Sequence, residues 1–118
     1  MAKVETNMRT EIGKIQKIHV GFGGYQDAEL GLQITLGSDK GAWGVMTFKG
    51  YWAMEPSERC EWTKEDQIRG YGEALAFIGE LLTKAKRQRV EDLRGVPIEA
   101  TFKDFNTLHS WRILEEVI

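Results

Sequence analysis

The chain has 118 residues, 16 of them basic and 18 acidic, with 42% apolar side chains and a formal charge of -2. That length suits one domain, because two halves would each lie near the limit of independent folding, and about two-thirds of the unfolded surface can be buried. The charge is spread evenly along the chain, which excludes the basic excess of a duplex nucleic-acid binder, and no apolar run is long enough to span a membrane.

Residues 1–11 are polar and aperiodic and read as a flexible leader, with residues 12–118 as a single domain. From Ile12 the chain reads as strand: Ile18, Val20 and Phe22 alternate with Lys17, His19 and Gly21. Gly23-Gly24-Tyr25-Gln26-Asp27 breaks the alternation and needs positive-φ positions. A second strand follows, with Leu30, Leu32, Ile34 and Leu36 on one face and Gly31, Gln33 and Thr35 on the other. The 37–41 segment has hairpin composition, and residues 43–49 return as a third strand before an irregular stretch over 53–61.

Thr63-Lys64-Glu65-Asp66 is close to a capping box and opens a long helix. Its apolar stripe is Ile68, Tyr71, Leu75, Ile78, Leu82 and Ala85, at helical spacing. Gly70, Gly72 and Gly79 each cost up to ~1 kcal/mol in a helix interior, so they mark either close approach to a neighbour or chance surface positions. Lys84, Lys86, Arg87 and Arg89 cluster at the helix end, where cations complement the dipole. Gly95 and Pro97 stop a short turn, and residues 98–102 and 108–117 form a C-terminal hairpin, with a bulge expected near its end. The order βββ-α-ββ gives an α+β domain, an antiparallel sheet of about five strands with one long helix packed on it.

No residue pattern specifies a reaction. A lone Cys60 excludes an intrachain disulfide and a multi-cysteine zinc site, and His19 and His109 lack metal-ligand spacing. Ser57 and Ser110 have no nucleophile-elbow context, and Gly21-Phe22-Gly23-Gly24 leads into a strand, unlike a phosphate-binding loop. No metal, cofactor or catalytic group is therefore expected. The terminus lacks the apolar region of a signal peptide, so a cytoplasmic location without membrane contact is expected. Aromatic residues fall beside loops: Phe22 and Tyr25, Trp52 and Trp62, and Phe105 ahead of Trp111. They suit base stacking, with Arg59 or Arg112 offering a fork to phosphate. The plainer alternatives are core roles for Trp43, Trp52 and Trp111, turn chemistry for Tyr25, Gln26, Asp27 and Asn106, and a surface ion pair of Arg59 with Glu58 or Glu61.

The strings Gly21 to Asp27, Trp43-Gly44, Trp62-Thr63 and Phe102 through Ser110-Trp111-Arg112-Ile113-Leu114 resemble a group of small phage and prophage proteins. That group is identified with the first family of phage anti-Thoeris proteins, which sequester cyclic nucleotide signals, and the resemblance covers residues 15–118. It implies a sponge that holds a cyclic ADP-ribose isomer, and also cyclic oligonucleotides, without cleaving them. It implies a symmetric homo-oligomer with pockets between chains. Ligand contacts are then expected from Phe22, Gly23, Gly24, Tyr25, Gln26 and Asp27, from Asn106 to Arg112, and from Arg59 as a phosphate ligand. The competing expectations are a phage protein that blocks a host defence complex by direct contact, as anti-CRISPR proteins do, and an accessory phage protein without a small ligand.

Overall fold

A computed structural model describes residues 8–118. Five antiparallel strands lie in the order β3-β2-β1-β4-β5: β1 (Arg9–Gly23), β2 (Glu29–Gly37), β3 (Gly44–Trp52), β4 (Pro97–Phe102) and β5 (Leu108–Ile113). One helix, α1 (Lys64–Ala85), covers one face, giving the expected α+β architecture. No helix among the described residues is long and apolar enough to cross a membrane.

The 15-residue β1 organises the sheet, because its two halves serve different partners. Arg9 to Lys14 pair with β4, whereas Lys14 to Gly23 pair with β2. An extra residue at Gln16 makes a bulge against β2, where Ile15 pairs with Leu36 and Lys17 with Thr35. A bulge reverses the facing parity, so odd-numbered Gly13 and Ile15 and even-numbered Ile18 and Val20 share the helix side. The leader expected over 1–11 is corrected at Arg9, Thr10 and Glu11, which are strand paired with Phe102, Thr101 and Ala100; residues 1–7 lie outside the described residues.

The core joins Ile15, Leu32, Ile34, Leu36, Ile98, Ala100, Phe102 and Ile113 of the sheet to Leu81 and Ala85 of α1. Leu93 and Val96, in the connection after α1, close its end. Each large buried aliphatic contributes about 1.5–3 kcal/mol through removal from water. The capping box forms as expected: the Asp66 amide donates to Thr63 Oγ1 at 3.2 Å and the Thr63 amide to Asp66 Oδ2 at 2.8 Å. At the other end Lys86 adopts the left-handed cap conformation and Arg87 donates to the Ala85 carbonyl at 3.0 Å, so the basic cluster completes the helix terminus.

Three expectations are corrected. The buried line of α1 is Gln67, Gly70, Ala74, Leu81 and Ala85, while Ile68 and Leu75 are 60% and 68% exposed. Small residues meet the sheet at closest approach: a Cβ on Gly70 would lie 2.4 Å from Tyr51 Cδ1, whereas Gly72 and Gly79 face open space. The third strand continues to Trp52 rather than stopping at Lys49. The last strand ends at Ile113, where the Leu114 amide donates to Pro97 O and a 3-10 turn, Glu115–Val117, follows. Its irregularity lies at its start, where Thr101 pairs with Ser110 but Phe102 with Leu108.

Candidate functional site

The residues expected to bind ligand fall in separate parts of the fold. Phe22 to Asp27 lie at the β1–β2 end, and Asn106 lies in the β4–β5 hairpin beside Arg9, at the other end of β1. About 3.3 Å of rise per residue puts some 40 Å of strand between Arg9 and Phe22. A ligand touching both sets therefore has to bridge two chains.

At the β1–β2 end, Gly24, Gln26 and Asp27 have φ of 69°, 52° and 58°. Left-handed backbone at Gln26 and Asp27 costs about 1 kcal/mol each and tends to gather at binding sites. The turn's amides are occupied within the chain: Asp27 donates to Gly24 O, Ala28 to Tyr25 O, and Tyr25 to Glu29 Oε2 at 3.2 Å. Because Glu29 already supplies an anionic acceptor here, the turn is a poor phosphate cradle on its own. Tyr25, 65% exposed, sets its edge toward Trp52 at 6.3 Å, and Trp52 stacks on Trp62 at 6.5 Å. Gln67, fully buried, fixes this corner by donating to Trp52 O at 2.7 Å and Met54 O at 2.8 Å, with Tyr71 Oη also donating to Trp52 O. Trp52 thus belongs to the corner rather than the core; Trp43 and Trp111 do pack against the core. Arg59 is exposed on the 53–61 loop, and among the described residues it forms no ion pair with Glu58 or Glu61.

Arg112 lies on β5 and is held by two carboxylates. Its Nε donates to Glu99 at 3.0 Å, and its Nη1 and Nη2 donate to both oxygens of Glu116 at 3.1 and 2.9 Å. Hydrogen bonds donated first to Glu116 and then to Glu99 raise the guanidinium's pKa further, and the same pairing lowers Glu116 to about 2. A phosphate at Arg112 would have to displace both acids.

Around Asn106 the chain builds a shallow depression of about 360 Å³, lined by Arg9, Ala42, Trp43, Gly44, Phe102, Phe105 and Asn106. Asp104 shapes the hairpin by accepting the Asn106 and Thr107 amides at 3.0 and 2.9 Å. Those bonds, the Asn106 amide first, hold the Asp104 carboxyl below its usual 3.8. Arg9 clamps the loop, donating to the Asp104 and Phe105 carbonyls at 3.1 Å each, with its guanidinium 4.6 Å from the Phe102 ring centre. Asn106 therefore satisfies the turn with its backbone, and among the described residues its side-chain amide forms no hydrogen bond. Phe105 is 81% exposed, and the Trp43 indole Nε1 is buried without a hydrogen-bond partner among the described residues. Sequence reasoning missed Arg9, which lay in the expected leader; Trp43, read as core, packs against the core and also lines the depression. The signal present was only the proximity of an aromatic to an amide at Phe105-Asn106.

Among the described residues no group of His, Cys, Asp and Glu side chains has the arrangement of a metal site. Cys60 is half-buried, and its Sγ accepts the Ser57 amide at 3.5 Å. The chain matches no protein-family model, no curated protein sequence and no solved structure.

Proposed function

We propose that the protein binds a cyclic nucleotide without cleaving it, and that the Arg9–Trp43–Phe105–Asn106 depression receives one base. The observation that carries this reading is the lining of that depression: the Asn106 side-chain amide, without a hydrogen bond among the described residues, beside the exposed Phe105 ring. An amide recognises a base edge by paired donor and acceptor, and an aromatic face supplies about 1–3 kcal/mol of stacking per base. In the setting implied by the sequence resemblance, the ligand is a cyclic ADP-ribose isomer or a cyclic oligonucleotide. Its capture in the bacterial cytoplasm withdraws an immune signal from its receptor. A homo-oligomer supplies the phosphate contacts that one chain lacks.

Thermal unfolding of the purified protein with cyclic ADP-ribose isomers and cyclic di- and trinucleotides tests the reading. Ligand at a thousand times its Kd adds about 4 kcal/mol, a rise of well over 10 °C for a domain of this size. Intact nucleotide recovered after heating identifies sequestration, and Phe105→Ala and Asn106→Ala each abolish most of the rise. No change with any nucleotide at millimolar concentration removes the proposal. A second reading, direct binding to a host protein, draws on the exposed Val20, Phe22 and Leu75 and is supported if disrupting those residues alone abolishes anti-defence activity.

A further inference from the structure

We infer that a second copy of the chain docks on the open edge of β1, residues 17–23, in antiparallel register about a two-fold axis at Val20. β4 pairs with β1 only from Arg9 to Lys14, and Ile15 is bonded to Val96 O and the Gly95 amide. From Lys17 to Gly23 β1 pairs only with β2, so among the described residues its other edge presents unpaired backbone donors and acceptors. Edges of this kind template strand addition.

The side chains along the edge select the partner. Self-pairing centred on Val20 sets Ile18 against the partner's Phe22 and Val20 against the partner's Val20. It sets Lys17 against the partner's Gly23 and His19 against the partner's Gly21. Apolar residues then share the helix side, and each long polar side chain meets a glycine. Centring one residue earlier opposes His19 to the partner's His19 and puts Phe22 against the bulge at Gln16. Centring one later runs Ile18 into the Gly24 turn. Only the Val20 centre keeps all seven residues matched.

Charge follows the same register. Gly23 pairs with Glu29 on β2, and the partner's Lys17 lies on the far side of Gly23. Two strand spacings, about 10 Å, separate their backbones, within the combined reach of lysine and glutamate past the Phe48 ring and the Gln33 carboxamide that lie against Gly23. Lys17 forms no ion pair among the described residues, and the one hydrogen bond recorded for the Glu29 carboxylate is from the Tyr25 amide. The partner's Lys17 thus neutralises the acid that closes the Gly24–Asp27 turn.

The helix side supplies the apolar contact. Val20 and Phe22 are 52% and 64% exposed, and an apolar groove of about 280 Å³ runs between Val20, Leu30, Tyr71, Ala74, Leu75 and Ile78. With Ile68 two turns before Leu75, the patch is on the order of several hundred Å², the size that marks an interaction site on a small domain. The interface does not touch the Asn106 depression, so self-docking and base binding are read by separate experiments.

The test is oligomeric state by light scattering and sedimentation from 1 to 100 µM, without nucleotide. A dimer is expected. Val20→Glu, which sets like charges across the axis, raises the dissociation constant by ~100-fold or more with an unchanged circular dichroism spectrum. Lys17→Glu and Glu29→Lys each weaken the dimer, and the double exchange restores it. Val20→Cys crosslinks on oxidation while His19→Cys, facing the partner's Gly21, does not. A wild-type monomer throughout that range, charge reversals without rescue, or equal crosslinking of both cysteines overturns the inference. A dimer that binds no nucleotide leaves it standing and removes only the proposed function.

Discussion

Three glycines in α1 provide a test in which the same substitution changes sign with position. An added Cβ at Gly70 would meet Tyr51 Cδ1, Cγ and Cβ at 2.4, 2.6 and 2.8 Å, and those atoms form the base of a ring held between strand and helix. Nothing lies within 4 Å of a Cβ at Gly72 or Gly79. Alanine gains up to ~1 kcal/mol over glycine inside a helix, from lower entropy in the unfolded chain and better propensity. Gly72→Ala and Gly79→Ala should therefore each stabilise by up to that amount, about 4 °C in Tm for this chain length. Gly70→Ala has the same gain but forces the helix off Tyr51; overpacking costs about 1–3 kcal/mol, leaving a net loss of roughly 1 kcal/mol. Urea unfolding and calorimetry on the three variants should place Gly70→Ala below wild type and the other two above. Tryptophan fluorescence should change only in Gly70→Ala, because Tyr51 sets its edge toward Trp62 at 5.7 Å. If Gly70→Ala is as stable as Gly72→Ala, the close approach of α1 to β3 is wrong.

Gln67→Leu keeps volume but leaves Trp52 O with only the Tyr71 hydroxyl and Met54 O without the amide donor; a loss of about 1–3 kcal/mol in urea unfolding is expected, with faster amide exchange over residues 53–61. Stability unchanged by that variant would show the 53–61 segment to be held otherwise. Glu116 has its pKa lowered from 4.5 to about 2 by Arg112, so its contribution is fully present above pH 4.5 and is lost as pH falls from 4.5 through about 2. Carboxyl NMR should find its midpoint near 2 and should find it restored toward 4.5 in Arg112→Gln; a wild-type midpoint at 4.5 refutes the pairing.

Much of the fold was legible because local signals agreed with global packing. The β2 alternation from Leu30 to Leu36 and the Thr63–Asp66 box each specify their element without tertiary help. What was not legible depends on context. The first half of β1 shows no apolar alternation, since Arg9, Glu11 and Gly13 face the helix side opposite Phe102, Ala100 and Ile98, which fill that space from the neighbouring strand. Trp43 lies over Gly13, so one aromatic from a hairpin replaces the missing side chain. The α1 stripe misled for a similar reason. Ile78, Leu82 and Ala85 of that stripe do pack on the core, but nearer the N-terminus the contact is made by Gly70 and Ala74, which carry almost no hydropathy signal. The candidate site was half legible: Phe105-Asn106 and the Phe22–Asp27 turn were visible, while Arg9 needed strand pairing to become a clamp.

The leftover apolar residues and the glycines of the outer face have one explanation between them. Gly21, Gly31 and Gly50 stand in register across β1, β2 and β3. A Cβ at Gly31 would lie 2.2 Å from Lys49 O and 2.6 Å from Gly50 Cα, so this row is closed to any larger residue. The Phe48 ring lies against Gly50 and Gly23, and the His19 imidazole against Gly21. The side chains beside the row thus cover its glycines near the open edge of β1. A lysine from an added strand reaches toward Glu29 past the Phe48 ring and the Gln33 carboxamide that lie against Gly23. On the opposite face the same seven residues carry Ile18, Val20 and Phe22, beside Leu75 and Ile68 that the core does not use. An edge meant to stay single is usually blunted by proline, inward charge or a bulge along its length. Here the bulge falls at Gln16, just before the open stretch, and its effect is to turn the apolar residues toward the helix side. The bulge that turns Ile18, Val20 and Phe22 toward the helix side is therefore the device that prepares the edge for another strand.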